Sequence, residues 1–170
     1  MRIVTVVLPV AMALLVLSAC VSRVAPTADP SVLPSRSPVP GECAATDIDV
    51  TGRADEKPVV RVPTDCAAPT TALGRDLTVG RGEQAVRGCD LEVAYVMVAW
   101  TGGVVVESTW AGTTSSSVTV TDLGDAGWQE GMLGIREGGR RLFVAPPDAS
   151  RGETGAGETV IYVLDAIRVD

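Results

Sequence analysis

The chain contains no histidine, and its formal net charge is −7 at pH 7. The absence of imidazole excludes Ser-His-Asp triads, zinc sites built from Cys and His, and histidine acid–base catalysis. A nucleic-acid-binding protein needs a surplus of positive charge, so the acidic balance excludes nucleic acid as a partner. Any chemistry must therefore proceed without the side chain that most often serves as a catalytic base.

Motifs for phosphate, nucleophilic and metal chemistry are also missing. The segment GETGAGET, residues 152–159, lacks the Lys of a phosphate-binding loop, and no helical pattern follows it, so a hairpin loop is the better interpretation. The serines at 115–117 have no base partner that could activate a nucleophile. Asp122 and Asp125 supply too few oxygen ligands for Ca²⁺. The sequence therefore predicts no metal and no cofactor.

The first 19 residues predict a signal peptide. A charged start precedes an apolar run from Ile3 to Leu17, and small residues follow. A membrane-spanning helix is the alternative, but Pro9 and the small residues favour cleavage. The segment LSAC, which ends at Cys20, resembles the lipobox of bacterial lipoproteins. That resemblance implies a diacylated cysteine that anchors the mature chain to the extracytoplasmic face of the cell membrane.

The rest of the chain divides by composition into three parts. Residues 20–41 carry five prolines among Ser, Thr and Ala, which is typical of a semi-rigid tether. Residues 42–75 predict a hairpin extension. Residues 76–170 predict a single folded domain, because the chain after the tether is long enough for one full core.

Three cysteines lie after the predicted tether: Cys43, Cys66 and Cys89. An extracytoplasmic compartment permits disulfides. The runs TDIDVTG and KPVVRVP read as two antiparallel strands, and if Val50 pairs with Val59 the paired positions sum to 109. The two cysteines at 43 and 66 give the same sum. The pattern therefore predicts a Cys43–Cys66 disulfide across the mouth of the hairpin, and a free Cys89.

The domain pattern is rich in strands and poor in helix. Short runs of Val, Thr and Ile recur between Gly clusters, and several alternate between faces. The predicted strands are 76–79, 91–100, 104–110, 118–120, 140–145 and 159–169.

One helix is predicted, from Trp128 to Ile135, in which Trp128, Met132 and Ile135 share a face. Gly131 and Gly134 weaken it in isolation and indicate close packing against another element. The predicted fold class is α+β, a curled antiparallel sheet of about five to six strands wrapped over one short helix.

The stretch GWQEGMLGIREGGRRLFVAPP, residues 127–147, resembles the signature of FKBP-type peptidyl-prolyl cis-trans isomerases. In that family a Gly-Trp pair begins the helix, and a Gly-rich turn leads into a strand that ends in Pro-Pro. Upstream, GCDLEVAYVMVAWTGGVVVESTW is similar to the family's Tyr-bearing strand, Gly turn and acidic-Ser-Ser segment. Downstream, ETVIYVLDAIRVD resembles the closing strand. The resemblance covers about residues 77–170.

The resemblance implies an enzyme that rotates X–Pro bonds of proline-containing polypeptides, such as unfolded or secreted proteins. Its implied catalytic residues are Trp128 as the floor of the proline pocket, Tyr95 and Tyr162 as aromatic walls, and Glu107 near the substrate carbonyl. The implied substrate-binding residues are Val106, Val118 or Val120, Gly124, Asp125 and Arg151. Arg151 either covers the pocket, binds an acidic client or is a solvated loop residue.

The pocket positions depart from the family's pattern. Val106 stands where the family has Phe, and Ser150-Arg151-Gly152 replaces the family's Ala-Tyr-Gly. Large aromatic residues supply much of a pocket's buried area, so these exchanges predict weak isomerase activity and weak macrolide binding. The alternatives are a non-catalytic binding lipoprotein of the same fold and a purely structural one.

Overall fold

A computed structural model of the protein describes residues 39–54, 56–111, 115–120, 126–148 and 157–170. For residues 111, 116–118 and 126–128 the backbone is described and the side chains are not. The predicted signal peptide and most of the predicted tether lie outside these ranges. Among the helices inside them, none has the length and apolar character needed to cross a membrane.

Eight strands and one α-helix occur within the described ranges. Their bounds are β1 Asp49–Thr51, β2 Val59–Arg61, β3 Leu73–Thr78, β4 Asp90–Ala99, β5 Val105–Ser108, β6 Ser116–Thr119, α1 Ala126–Met132, β7 Arg140–Ala145 and β8 Val160–Val169. Short 3-10 turns at Thr101–Gly103 and Thr109–Ala111 follow β4 and β5, respectively.

Six of the strands form one antiparallel sheet in the order β3-β7-β8-β4-β5, and β6 also pairs with β4. The ten residues of β4 are shared between two partners, because β6 pairs with its first half and β5 with its second. β1 and β2 form a separate antiparallel hairpin. This six-stranded sheet with one short helix confirms the predicted α+β fold class.

The helix is displaced toward the N-terminus relative to the predicted range. It spans Ala126–Met132, whereas the sequence predicted a helix as far as Ile135. The prediction of its end was wrong because Gly134 has a φ of 79°, a left-handed conformation that commonly ends helices. Ile135 nevertheless lies in the same core as Met132.

One face of the sheet, which we call the helix face, packs against α1. Its buried core contains Leu91, Val93, Tyr95, Met97, Val120, Met132, Ile135, Phe143, Ala145, Val160, Tyr162 and Leu164, with smaller and terminal residues around them. The fit is tight at Gly131, where a Cβ atom would lie 2.9 Å from Cγ of Phe143. The close packing that the helix glycines predicted is therefore confirmed at Gly131.

The opposite face, which we call the hairpin face, has a second core. It contains Ile48, Leu73, Val96, Val98, Leu142, Val144, Ile161 and Val163, and the β1–β2 hairpin packs on it through partly buried residues that include Val50 and Val60. Because the central strands are covered on both faces, every residue of β7 is buried. This double burial explains the continuous apolar runs Leu142–Ala145 in β7 and Val160–Leu164 in β8.

Polar contacts fasten the hairpin to this face. The guanidinium of Arg140 donates to the carbonyl oxygens of Gly52 and Glu56, at 3.2 and 2.9 Å, and its Nε lies 2.6 Å from Oδ1 of Asp165. Trp110 lies against the same guanidinium, with its ring centroid 5.9 Å from Cζ, a distance typical of cation–π contacts. Burial raises the pKa of Asp165, although the hydrogen bond and the charge of Arg140 oppose that shift.

The Cys43–Cys66 disulfide is present, with a Cα–Cα distance of 5.1 Å. The pairing that suggested it was wrong, because Val50 pairs with Val60, one residue away from the predicted register. The cysteines are brought together instead by a parallel bridge next to them, in which the amide of Cys43 donates to the carbonyl of Ala67 at 2.9 Å. The disulfide prediction is therefore confirmed on a different backbone geometry.

The prediction of a free Cys89 is wrong. Cys89 is disulfide-bonded, and its partner lies outside the described residues. The thiol count in the sequence predicted an unpaired cysteine because Cys20 was assigned to lipidation and removed from the pairing.

Candidate functional site

The candidate site lies at the margin of the helix face, where β4 meets β5. Tyr95 on β4 is 8% exposed and belongs to the core beneath α1. Its hydroxyl donates to Oε1 of Glu107 on β5 at 2.5 Å. The carboxylate belongs to an exposed residue. A buried ring thus holds a charged acceptor at the boundary between the apolar core and water.

This contact can orient the carboxylate. A hydrogen bond from a neutral hydroxyl to an ionised carboxylate is short and stronger than one between neutral groups. Because the ring of Tyr95 is fixed by packing, the bond restricts Glu107 to a small part of its rotamer range. No donor among the described residues contacts the other carboxylate oxygen, which can therefore accept from a second donor such as a peptide N–H.

Thr109 fixes the backbone at Tyr95, and sequence reasoning did not assign it a role. The β4–β5 ladder ends at the pair of Val96 and Ser108, after which the chain enters a 3-10 turn. The amide of Tyr95 donates to Oγ1 of Thr109 at 2.9 Å, and the hydroxyl of Thr109 lies 3.4 Å from the Tyr95 carbonyl oxygen. The side chain therefore continues the ladder by one residue. The sequence signal for this role was the position of Thr109 two residues after Glu107, because residues two apart on a strand lie on the same face.

Tyr162 occupies the centre of the helix face rather than its margin. It lies on β8, pairs in register with Met97 and Phe143, and is 1% exposed. Tyr95 and Tyr162 belong to the same core, so the structure brings the two predicted aromatic walls together. Tyr162 lies in the base of that core, and Tyr95 reaches its edge.

The valines at the predicted pocket walls have different environments. Val106 on β5 is 44% exposed, whereas Val120 is fully buried in the core of the helix face. Val118 lies on β6 opposite Leu91, and its side chain is not described. The position at which the family carries Phe is therefore open to solvent in this chain.

The remaining predicted site residues are only partly covered by the structure. Trp128 is the third residue of α1, one turn before Met132, but its side chain lies outside the description. Gly124, Asp125 and Arg151 lie outside the described residues altogether. In the described part of the chain, no three acidic or cysteine side chains are grouped as metal ligands would be.

Comparisons with known proteins agree with this fold. A family model described as FKBP-type peptidyl-prolyl cis-trans isomerase matches residues 81–165. A probable FK506-binding protein of Corynebacterium glutamicum is 36% identical over 117 residues, which is 66% of this chain and 98% of the relative. An FK506-binding protein of Streptomyces anulatus is 32% identical over 122 residues, covering 67% of this chain and 98% of the relative.

A solved structure supports the fold independently of sequence. The N-terminal domain of FKBP42 from Arabidopsis thaliana superposes with a TM-score of 0.53 at 14% identity, covering 79% of this chain and 99% of that domain. The matched family region contains Tyr95, Glu107 and the whole of α1 and β7. With half of its length matched by the family model and both relatives covered almost completely, the chain belongs to the FKBP-type peptidyl-prolyl cis-trans isomerase family of enzymes.

Proposed function

We propose that this enzyme is anchored by lipid to the extracytoplasmic face of the cell membrane and rotates X–Pro bonds in unfolded or secreted proteins with weak activity. The observation that carries the catalytic part is the hydrogen bond from buried Tyr95 to exposed Glu107 at the margin of the helix face. It combines an apolar surface for a prolyl ring with an oriented polar group for the adjoining peptide.

The reaction suits a chain without histidine because no proton has to move. Rotation about an X–Pro bond crosses a barrier of roughly 18–20 kcal/mol, since amide resonance is lost in the twisted state. A pocket that binds the twisted amide more tightly than the planar one lowers this barrier. Tyr95 and Met97 belong to the apolar core of the helix face, and an apolar environment favours the less polar twisted form.

The low activity follows from the open wall at β5. A Phe at position 106 would cover the margin of the pocket, whereas Val106 leaves it 44% exposed. Water that reaches the bound amide stabilises the planar, more polar ground state. We therefore expect a kcat/KM below that of relatives that retain the aromatic wall, and weak binding of macrolides for the same reason.

The catalytic proposal is tested with a proline-limited peptide isomerisation assay on the folded domain. Trp128→Ala should lower kcat/KM by about tenfold or more, because Trp128 is the proposed floor of the proline pocket and a large aromatic side chain supplies much of a pocket's buried area. Trp100→Ala is the matched control, since Trp100 packs on the hairpin face and its loss should leave kcat/KM within about twofold. A wild-type rate equal to the uncatalysed rate, and unchanged by Trp128→Ala, overturns the proposal.

The exposed wall also favours a second candidate function, a non-catalytic module that binds a client segment. Val104, Val105 and Val106 are all exposed on and before β5, which places an apolar strip beside Glu107. Binding of an unfolded, proline-containing polypeptide with micromolar affinity, without any acceleration of its isomerisation, would favour this candidate. Acceleration abolished by Trp128→Ala would favour the enzyme.

The anchoring proposal is tested on the protein isolated from its own membrane. We expect the mature chain to begin at Cys20 and to carry a thioether-linked diacylglycerol, and we expect Cys20→Ser to release the protein from the membrane fraction. The anchor and the disulfide of Cys89 compete for Cys20, because Cys43 and Cys66 pair with each other. A peptide map in which Cys20 is held in a disulfide therefore overturns the anchor, because one sulfur cannot carry both bonds.

A further inference from the structure

We propose that Arg141 and Asp76 are positioning residues that set the placement of α1, and with it Trp128, for isomerisation. This inference rests on the proposed function and extends it to two residues that do not reach the margin of the helix face.

Arg141 on β7 is 1% exposed. Its Nε donates to Oδ1 of Asp76 on β3 at 2.6 Å, and its Nη2 donates to Oδ2 at 3.3 Å. Burying a guanidinium costs free energy unless its donors are paired. A bidentate contact with a carboxylate fixes both the position and the plane of the guanidinium. β3 and β7 are hydrogen-bonded neighbours in the sheet, so this pair is anchored to the rigid part of the fold.

The third nitrogen of Arg141 reaches the end of the helix. Nη1 donates to the carbonyl oxygen of Leu133 at 2.8 Å and to that of Gly131 at 3.3 Å. Carbonyl groups in the last turn of a helix have no partner within the helix, and a positive charge at that end interacts favourably with the helix dipole. Arg141, a residue of the sheet, therefore caps the C-terminus of α1.

Phe143 completes the attachment two residues further along β7. Side chains two apart on a strand project from the same face, and the ring of Phe143 lies against the backbone of Gly131. The cap and the ring thus hold one turn of α1 from the same strand. Trp128 lies one turn earlier, at about 1.5 Å of rise per residue, so a shift or rotation of the held turn is transmitted to it.

The neighbouring Arg140 provides an internal comparison. It is also buried and also paired with a carboxylate, at 2.6 Å from Asp165, but it projects to the hairpin face and binds the hairpin extension. The dipeptide therefore places two buried guanidinium groups, each paired with a carboxylate, on opposite faces of one strand. A general loss of stability should follow from breaking either pair, whereas displacement of α1 should follow only from breaking the pair at Asp76.

The test compares Asp76→Asn with Asp165→Asn, and Arg141→Lys serves as a second variant of the proposed pair. All three are made in a chain in which Trp100 and Trp110 are replaced by Phe, so that the emission reports Trp128. Isomerase kcat/KM and the emission maximum are measured at a temperature at which denaturation curves show each variant to be folded.

We expect Asp76→Asn and Arg141→Lys to lower kcat/KM by about tenfold and to shift the Trp128 emission, whereas Asp165→Asn leaves both within error of the parent. If Asp76→Asn and Arg141→Lys lose only stability, with kcat/KM and emission unchanged, the positioning role is overturned. If the parent chain has no isomerase activity, the proposed function fails by itself. The emission then decides this inference, because a shift confined to the Asp76–Arg141 pair supports it and identical spectra overturn it.

Discussion

Gly131→Ala perturbs the contact between α1 and β7 by a single methyl group. An added Cβ would lie 2.9 Å from Cγ and 3.0 Å from Cδ1 of Phe143, well inside the optimum of roughly 3.5–4.0 Å for two carbon atoms. Phe143 is fully buried, so its ring cannot swing into solvent to make room. The helix or the strand has to shift instead.

Two opposing effects set the magnitude. Replacing Gly by Ala inside an open helix would stabilise it by about 1 kcal/mol. Inserting a methyl group into a filled core costs about 1–3 kcal/mol. Because the contact falls below 3.0 Å on a buried ring, we expect the second effect to win and Gly131→Ala to lower the free energy of unfolding by about 1 kcal/mol.

Urea denaturation of a double-mutant cycle provides the assay. Phe143→Leu alone should destabilise the protein, but Gly131→Ala should cost less in that background, with a coupling energy of about 0.5–3 kcal/mol. The isomerase activity of the Gly131→Ala single variant should also fall, because α1 carries Trp128. If Gly131→Ala stabilises the protein in both backgrounds, the contact between Gly131 and Phe143 does not set the distance between α1 and β7.

Three further expectations concern the site, the hairpin face and the disulfide. Tyr95→Phe removes the hydroxyl that holds Glu107, so chemical denaturation should show a loss of about 1 kcal/mol, and kcat/KM should fall with little change in the circular dichroism spectrum; an unchanged kcat/KM contradicts the role given to this pair. Because burial raises the pKa of Asp165, the folded protein takes up that proton at a higher pH than the unfolded chain. The contribution of Asp165 to stability is therefore present in acid and lost as the pH rises through the folded-state pKa. Unfolding free energies of the wild type relative to Asp165→Asn should decrease over that range, and a difference independent of pH refutes the assignment. Replacing Cys43 and Cys66 by Ser should cost about 3 kcal/mol, from the loop of 23 residues that the disulfide closes; thermal melting of the double variant measures it, and a cost below about 1 kcal/mol would show that the bridge 42–67 alone holds the chain.

Much of the fold could be predicted from local patterns, and the misses have identifiable physical causes. The run at 140–145 coincides with β7 because its apolar content and the flanking Gly residues are unambiguous. The end of α1 was predicted too late, because Ile135 continues the helical spacing while Gly134 turns the chain away. Spacing alone does not separate a helical residue from one that returns to the same core through a turn.

The hairpin extension shows a different limit. The pair Cys43–Cys66 could be predicted, but its register was wrong by one residue, since the cysteines lie beyond the ladder in a parallel bridge. The packing of the extension on the domain was not predicted. The continuous apolar run Val160–Leu164 in β8 was a signal for it, because strands with one solvated face alternate.

The candidate site was predicted through family resemblance and not through spacing. Tyr95 and Glu107 are 12 residues apart, and only the β4–β5 hairpin brings them together. Arg141 and Asp76 are 65 apart and were not singled out, since an Arg at the start of a strand is usually solvated. Pairings of this kind depend on sheet order, which single-sequence patterns do not specify.

The sandwiching of the sheet between α1 and the hairpin has a practical consequence for anyone who trims this enzyme. A fragment that began where the family match begins, at residue 81, and kept the rest of the chain would lack β1, β2 and β3. It would present Val98, Leu142, Val144 and Ile161 to water. A contiguous apolar patch of that kind promotes self-association. The shortest well-behaved catalytic fragment should therefore begin upstream of Cys43, and precipitation of the trimmed chain would reflect a missing cover rather than a defective active site.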